Sequence, residues 1–289
     1  MAHLFRRAAP FVLLAASFLL LYGGVVRHLV HDWIRDENYS HGFLIIPLAL
    51  YFAWERRTRL AALSLAPSNI GLIIVFGSLG VLLAGVLGAE LFLTRVSLIG
   101  LTAGSIVFLL GWQALRVLAF PVALLLLMIP IPALIFNQIA FPLQLLASQV
   151  GETTLRTLGV PVLREGNVIV LANTSLEVAE ACSGIRSLIS LLTLGIVYGY
   201  FSDPRGGVRT TIALSTIPIA IASNGVRVAG TGIAAHFIGP EAAEGFFHTF
   251  SGWLMFIVAF LMLFAVVRLI IRFSPRRVPH PALSGAAVA

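Results

Sequence analysis

Stretches of about 20 apolar residues recur along the whole chain, near 8–30, 40–55, 70–89, 93–111, 117–136, 182–200, 210–236 and 248–272. A helix of that length matches the hydrocarbon core of a bilayer, about 30 Å thick. Lipid offers no partner to a backbone N–H or C=O, so such segments have very few ways to fold. The reading is an all-α, polytopic integral membrane protein with about eight transmembrane helices. The second segment is short and holds Pro47. Pro121, Pro130 and Pro218 lie inside the fifth and seventh, where a membrane tolerates them. The first segment follows Arg6 and Arg7 but is too long for an ordinary secretory signal, so it is read as a span. Composition agrees. Charged residues make up 11% of the chain, against about 25% in soluble domains. A water-soluble globule, a disordered chain and a nucleic-acid-binding module are therefore excluded.

One long stretch departs from this pattern. Between Asn137 and Glu180 the polar content rises. Residues 137–158 carry Gln138, Gln144, Gln149, Glu152 and Arg156 among apolar positions, which suits a helix lying in the membrane interface. Val160–Leu163 and Val168–Leu171 are short β-branched runs on either side of Arg164-Glu165-Gly166-Asn167, a pattern that predicts a β-hairpin. The insertion 137–180 thus divides a single transmembrane domain over 1–273. The tail 274–289 is expected to be disordered.

The positive charge is all arginine, 19 residues with no lysine. With the N-terminus inside and eight spans, the inner segments hold Arg6, Arg7, Arg56, Arg57, Arg59, Arg116, Arg205, Arg209, Arg268, Arg272, Arg276 and Arg277. The excess of arginine on one side sets the expected orientation: both termini in the cytoplasm and the insertion outside.

This topology brings three chemically useful residues to one depth. Cys182, the only cysteine, opens the sixth segment at its outer end. Arg227 lies 17 residues past Thr210 in the seventh, about 25 Å up the span. His248 opens the eighth, again at the outer end. A thiolate is a strong nucleophile that a neighbouring base or cation favours. His248 suits proton transfer. Arg227 suits stabilisation of a developing oxyanion or a substrate carboxylate. An arginine inside an apolar span costs at least about 2.5 kcal/mol unless paired or solvated, so a structural pairing with Glu177, Glu180 or Glu244 is the alternative. Glu180 raises the pKa of a nearby thiol unless it orients His248 or Arg227, or pairs with Arg186. Asn224, three residues before Arg227, shares its helix face and is read as a supporting hydrogen-bonding residue. His41 shares the outer level, while Ser40 is expected to cap a helix. With one cysteine and scattered histidines, neither disulfide, metal nor organic cofactor is expected.

Glu180-Ala181-Cys182-Ser183-Gly184-Ile185-Arg186, then Asn224-Gly225-Val226-Arg227, then His248, resemble the exosortase/archaeosortase family of membrane cysteine transpeptidases. Tyr39-Ser40-His41-Gly42-Phe43 and Gly159–Val170 add to the resemblance, which covers roughly 35–272. The resemblance implies protein substrates bearing a C-terminal sorting signal: a short motif of the Pro-Glu-Pro type, a transmembrane helix and a basic tail. It also implies a thioester at Cys182, with Arg227 and His248 completing the catalytic set. The expected location is a bacterial inner membrane with the site facing the periplasm. Two other readings stay open. Ser183 with His248 could act as an intramembrane serine protease. The chain could also be a non-enzymatic transporter or scaffold for polysaccharide export, although its ionisable residues gather at the outer edge and not at the midplane. The nucleophile that accepts the acyl group leaves no trace in the sequence.

Overall fold

A computed structural model describes residues 2–172, 174–178, 184–239 and 245–274, without the side chains of 2–15, 245–249 and 251. The chain divides into two compact units, Met1–Ile139 and Ala140–Ala289. The tail beyond residue 274 lies outside the described residues.

The first unit is helical: α1 (Ala2–Arg35), α2 (Gly42–Glu55), α3 (Arg57–Ala61), α4 (Ile70–Leu87), α5 (Leu91–Leu110) and α6 (Trp112–Leu124), followed by a 3₁₀ turn at Leu125–Met128. Small residues let α4 and α5 approach closely. A Cβ on Gly104 would lie 2.9 Å from the backbone nitrogen of Val75, and one on Gly85 would lie 2.8 Å from Thr94. Small side chains at such a crossing are the usual means of helix association in lipid, where apolar burial alone gives no driving force. Hydroxyls in the spans are satisfied locally: Ser78 donates to the Ile74 carbonyl at 2.7 Å and Thr102 to that of Leu98 at 2.9 Å.

At one end of this unit polar side chains tie the helices together. Arg95, only 3% exposed, donates from Nη2 to Asp32 Oδ2 at 2.6 Å. Trp33 Nε1 donates to the Met128 carbonyl at 2.8 Å, and the Ile131 N–H donates to the Tyr39 hydroxyl at 3.1 Å. Removing one partner of a buried ion pair strands the other. Asp32→Ala is therefore expected to cost about 3 kcal/mol. The double variant Asp32→Ala/Arg95→Leu should recover part of that loss. Thermal unfolding of the two variants in detergent checks both statements.

The apolar pattern alone predicts a fifth span over 117–136 and an interfacial helix over 137–158. The structure differs. The break falls at 129–132, and α7 (Ala133–Thr157) continues unbroken through residue 137. The reason is Ile129-Pro130-Ile131-Pro132. Each proline lacks an N–H and drives its predecessor out of helical conformation, and Ile129 is extended at φ −89°, ψ 121°. By length and composition α7 is among six helices, within the described residues, able to cross a membrane. The others are α4, α5, α8 (Ile185–Ser202), α9 (Gly206–Phe237) and α10 (Gly245–Phe273, from Gly252). Two shorter apolar helices, α2 and residues 112–128, accompany these six among the described residues.

The second unit contains a small antiparallel sheet between α7 and α8, in the order β1 (Val162–Glu165), β2 (Val168–Leu171), β3 (Ser175–Glu177). Glu165 pairs with Val168, so the turn is the two residues Gly166-Asn167 and not the four expected. Gly166 at φ +65° supplies the left-handed first position of a type II′ turn. The third strand was not foreseen. One face of the sheet packs on α7 and α9: Ile169, Leu171 and Val178 share a buried cluster with Ala147, Leu155, Val228 and Ala235. Glu152 on α7 accepts from Arg156 Nη2 at 2.6 Å and from Arg164 Nε at 3.0 Å, and Ser148 donates to the Gly166 carbonyl at 3.0 Å.

Helices α8, α9 and α10 form the rest of the unit around Leu191, Ile212, Ile219, Ala220, Ala259, Leu263 and Val267. The α8–α9 turn is held by arginine. Asp203 accepts from Arg205 Nε at 2.8 Å and Nη2 at 2.7 Å, while Arg209 Nε donates to the Asp203 carbonyl at 2.6 Å. These bonds from Arg205 hold the Asp203 carboxyl down at about 2.

Candidate active site

Of the seven proposed site residues, Glu180, Cys182 and Ser183 lie outside the described residues. His248 is described only as part of the α10 backbone. Arg186, Asn224 and Arg227 are described in full.

Helix α9 sets the level of the site. It runs for 32 residues through Pro218 without a break. Arg227 stands 21 residues beyond its start at Gly206, a rise of about 32 Å. Its buried face includes Ile212, Thr216, Ile219, Ala220, Ser223, Asn224 and Val228, the spacing of one helical stripe. Asn224 and Arg227 therefore sit one turn apart. Thr231 donates from Oγ1 to the Arg227 carbonyl at 3.0 Å.

Each of these two side chains meets a glycine from another helix. Gly184, the N-cap of α8, has φ +79°, and a Cβ there would lie 2.8 Å from Asn224 Cγ. Gly184 follows Cys182 by two residues, so the Cα atoms of the two are at most about 7 Å apart. On α10, a Cβ at Gly252 would lie 3.4 Å from Arg227 Nη2. His248 precedes Gly252 by four residues, one helical turn on the same face. Ser223 donates to the Met255 carbonyl at 3.0 Å and closes α9 on α10 beside that contact. Gly184, Asn224, Arg227 and Gly252 thus mark one level where α8 begins and where α9 and α10 pass it.

A small recess of about 10 Å³, room for about one water, lies at this level, lined by Leu143 and Ala147 of α7, Gly184 and Leu188 of α8, and Ala220, Ile221 and Asn224 of α9. Its wall is apolar except for the Asn224 amide. Arg186 lies in the first turn of α8. Sequence reasoning missed Gly252. Its signal was there, because a glycine one turn past His248 leaves room for an arginine from a neighbouring helix.

His41 belongs to the first unit. It is the N-cap of α2, with Nε2 3.1 Å from the Leu127 carbonyl oxygen. Ser40 does not cap α2 as expected. The N-cap is His41, with no side-chain cap bond, and the Ser40 hydroxyl donates back to the Glu37 carbonyl at 3.2 Å.

The family model described as Transmembrane exosortase (Exosortase_EpsH) matches residues 33–265. The chain belongs to the transmembrane exosortase family. That match holds Cys182, Arg227 and His248 together with the glycines that pack on Asn224 and Arg227. Neither curated proteins nor solved structures give a match. The family and the apolar helices together make this a multi-pass membrane protein with a sorting-related function.

Proposed function

We propose that this exosortase is a membrane cysteine transpeptidase that cleaves a C-terminal sorting signal from exported proteins. The signal consists of a short motif of the Pro-Glu-Pro type, one transmembrane helix and a basic tail. The observation that carries the reading is the shared level of Gly184, Asn224, Arg227 and Gly252. Two of these residues are close chain neighbours of a thiol and an imidazole, and a third is the guanidinium.

The chemistry runs as follows. The Cys182 thiol gives its proton to His248, and the thiolate attacks the scissile carbonyl carbon. Negative charge develops on the carbonyl oxygen, and Arg227 stabilises it. The C–N bond breaks as His248 returns the proton to the departing amine. A thioester remains, and water or another nucleophile resolves it. Asn224 and Arg186 position these groups, and Glu180 orients the imidazole or the guanidinium. The site faces the periplasm from a bacterial inner membrane, with both termini cytoplasmic, in keeping with the arginine asymmetry.

The test is co-expression with a protein carrying such a signal and mass spectrometry of its new C-terminus. A free carboxylate means hydrolysis, and an added mass identifies the acceptor. An uncleaved tail with active wild-type protein would end the proposal. Arg227→Lys keeps the charge but loses the planar fork. It is expected to lower kcat about 10²-fold with little change in KM, the pattern of an interaction made in the transition state. Steady-state kinetics on a tailed substrate checks this.

A further inference from the structure

Among the described residues the sheet of the second unit has an unpaired edge at β3, and Cys182 follows the end of that strand by five residues in the sequence. The Val178 N–H donates to the Asn167 carbonyl at 2.9 Å, and the Leu171 N–H donates to the Thr174 carbonyl at 2.8 Å. With Ile169 opposite Leu176, antiparallel alternation turns the N–H and C=O of Leu176 inward to β2. The same alternation turns those of Ser175 and Glu177 outward. Among the described residues no strand pairs with them, and both side chains are exposed. An edge of this kind is a template for another extended segment.

We infer that β3 is the docking strand for the substrate, whose extended sorting motif adds to the sheet by pairing with the outward backbone groups of Ser175 and Glu177. The inference rests on Cys182 being the nucleophile. Two features favour a substrate segment over any other occupant. Glu177 is five residues before Cys182, so a peptide aligned on β3 lies within about 18 Å of the thiol along the same stretch of chain. The other edge, β1, begins five residues after α7 ends and leads away from the cysteine. Strand addition also suits a proline-containing motif, because an extended conformation is what proline imposes on itself and its predecessor. The main chain supplies binding, and specificity falls to the side chains nearer the thiol.

The alternation provides the test. Proline at 175 or 177 removes an outward N–H and no ladder bond, whereas proline at 176 removes a ladder bond. Full-length protein in detergent is assayed with a synthetic tailed peptide. Ser175→Pro and Glu177→Pro are each expected to raise KM about tenfold, the worth of one backbone hydrogen bond, at unchanged kcat. Alkylation of Cys182 by iodoacetamide should keep its wild-type rate. Ser175→Ala and Glu177→Ala should match wild type in both. An unchanged KM in folded proline variants overturns the inference, as does a Glu177→Ala defect equal to that of Glu177→Pro. So does a wild-type dimer that the prolines dissociate, because a second copy would then occupy the edge. If the proline variants do not fold, the peptide is instead made with single backbone esters. A tenfold rise in KM at one position supports docking, and no rise at any position overturns it. Processing that survives Cys182→Ala would instead remove the nucleophile reading itself.

Discussion

Cys182→Ala is expected to reduce processing of a tailed substrate by about 10⁴-fold or more, while Ser183→Ala keeps near wild-type activity. Removing a nucleophile leaves only what binding and charge stabilisation give, and losses of that order are usual for an acyl-transfer centre. The pair of variants separates the readings because the two residues are adjacent and both carry a small nucleophilic side chain. The opposite result, an inactive Ser183→Ala and an active Cys182→Ala, would make this a serine protease. Intact sorting in both, together with a block in export of a solute from Cys182→Ala cells, would favour transport. Immunoblotting of the processed substrate reads the first two outcomes directly.

Gly184→Ala is expected to cut activity about 10²-fold. Two effects add at this position. At φ +79° any Cβ is strained, which costs roughly 1–2 kcal/mol. The new methyl would also meet Asn224 Cγ at 2.8 Å, so the start of α8 must move away from α9. A displacement of about 1 Å in a reacting group costs about 10²-fold in rate, and Gly184 is only two residues from the proposed nucleophile. Gly166→Ala is the control. Its φ of +65° is similarly strained, but open space surrounds the new methyl. It should lower Tm comparably and leave kcat almost unchanged. Equal kcat losses in both variants would mean that strain alone, and not the contact with Asn224, sets the effect.

The helical membrane class was legible because hydrophobic length is a coarse signal that survives without any knowledge of packing. The limits of the helices were not. The run 117–136 reads as one apolar block, and only the two prolines at 130 and 132 end the first helix and start α7 at Ala133. Counting apolar residues gives a proline no weight, whereas the backbone does. The β-branched run Val168–Leu171 was legible as a strand. Ser175–Glu177 was not, since three residues of mixed polarity carry no periodicity and become a strand only by pairing with β2. At the site, the spacing from Asn224 to Arg227 follows from helix geometry alone. The facing of Asn224 by Gly184 and of Arg227 by Gly252 depends on how three helices cross, which no local pattern encodes.

The length of α9 has a mechanical consequence. Thirty-two residues make a rod of about 48 Å, well over the thickness of a bilayer's oily interior. Its C-terminal half packs on the sheet through Val228 and Ala235 and also carries Asn224 and Arg227. A thinner or thicker bilayer would tilt this rod or slide it, and the strands would travel with it. The distances between these residues and the strands would then stay constant while the tilt of the helix changed. Lipid thickness should therefore act on the tilt of this helix and leave the spacing of Asn224 and Arg227 to the strands alone.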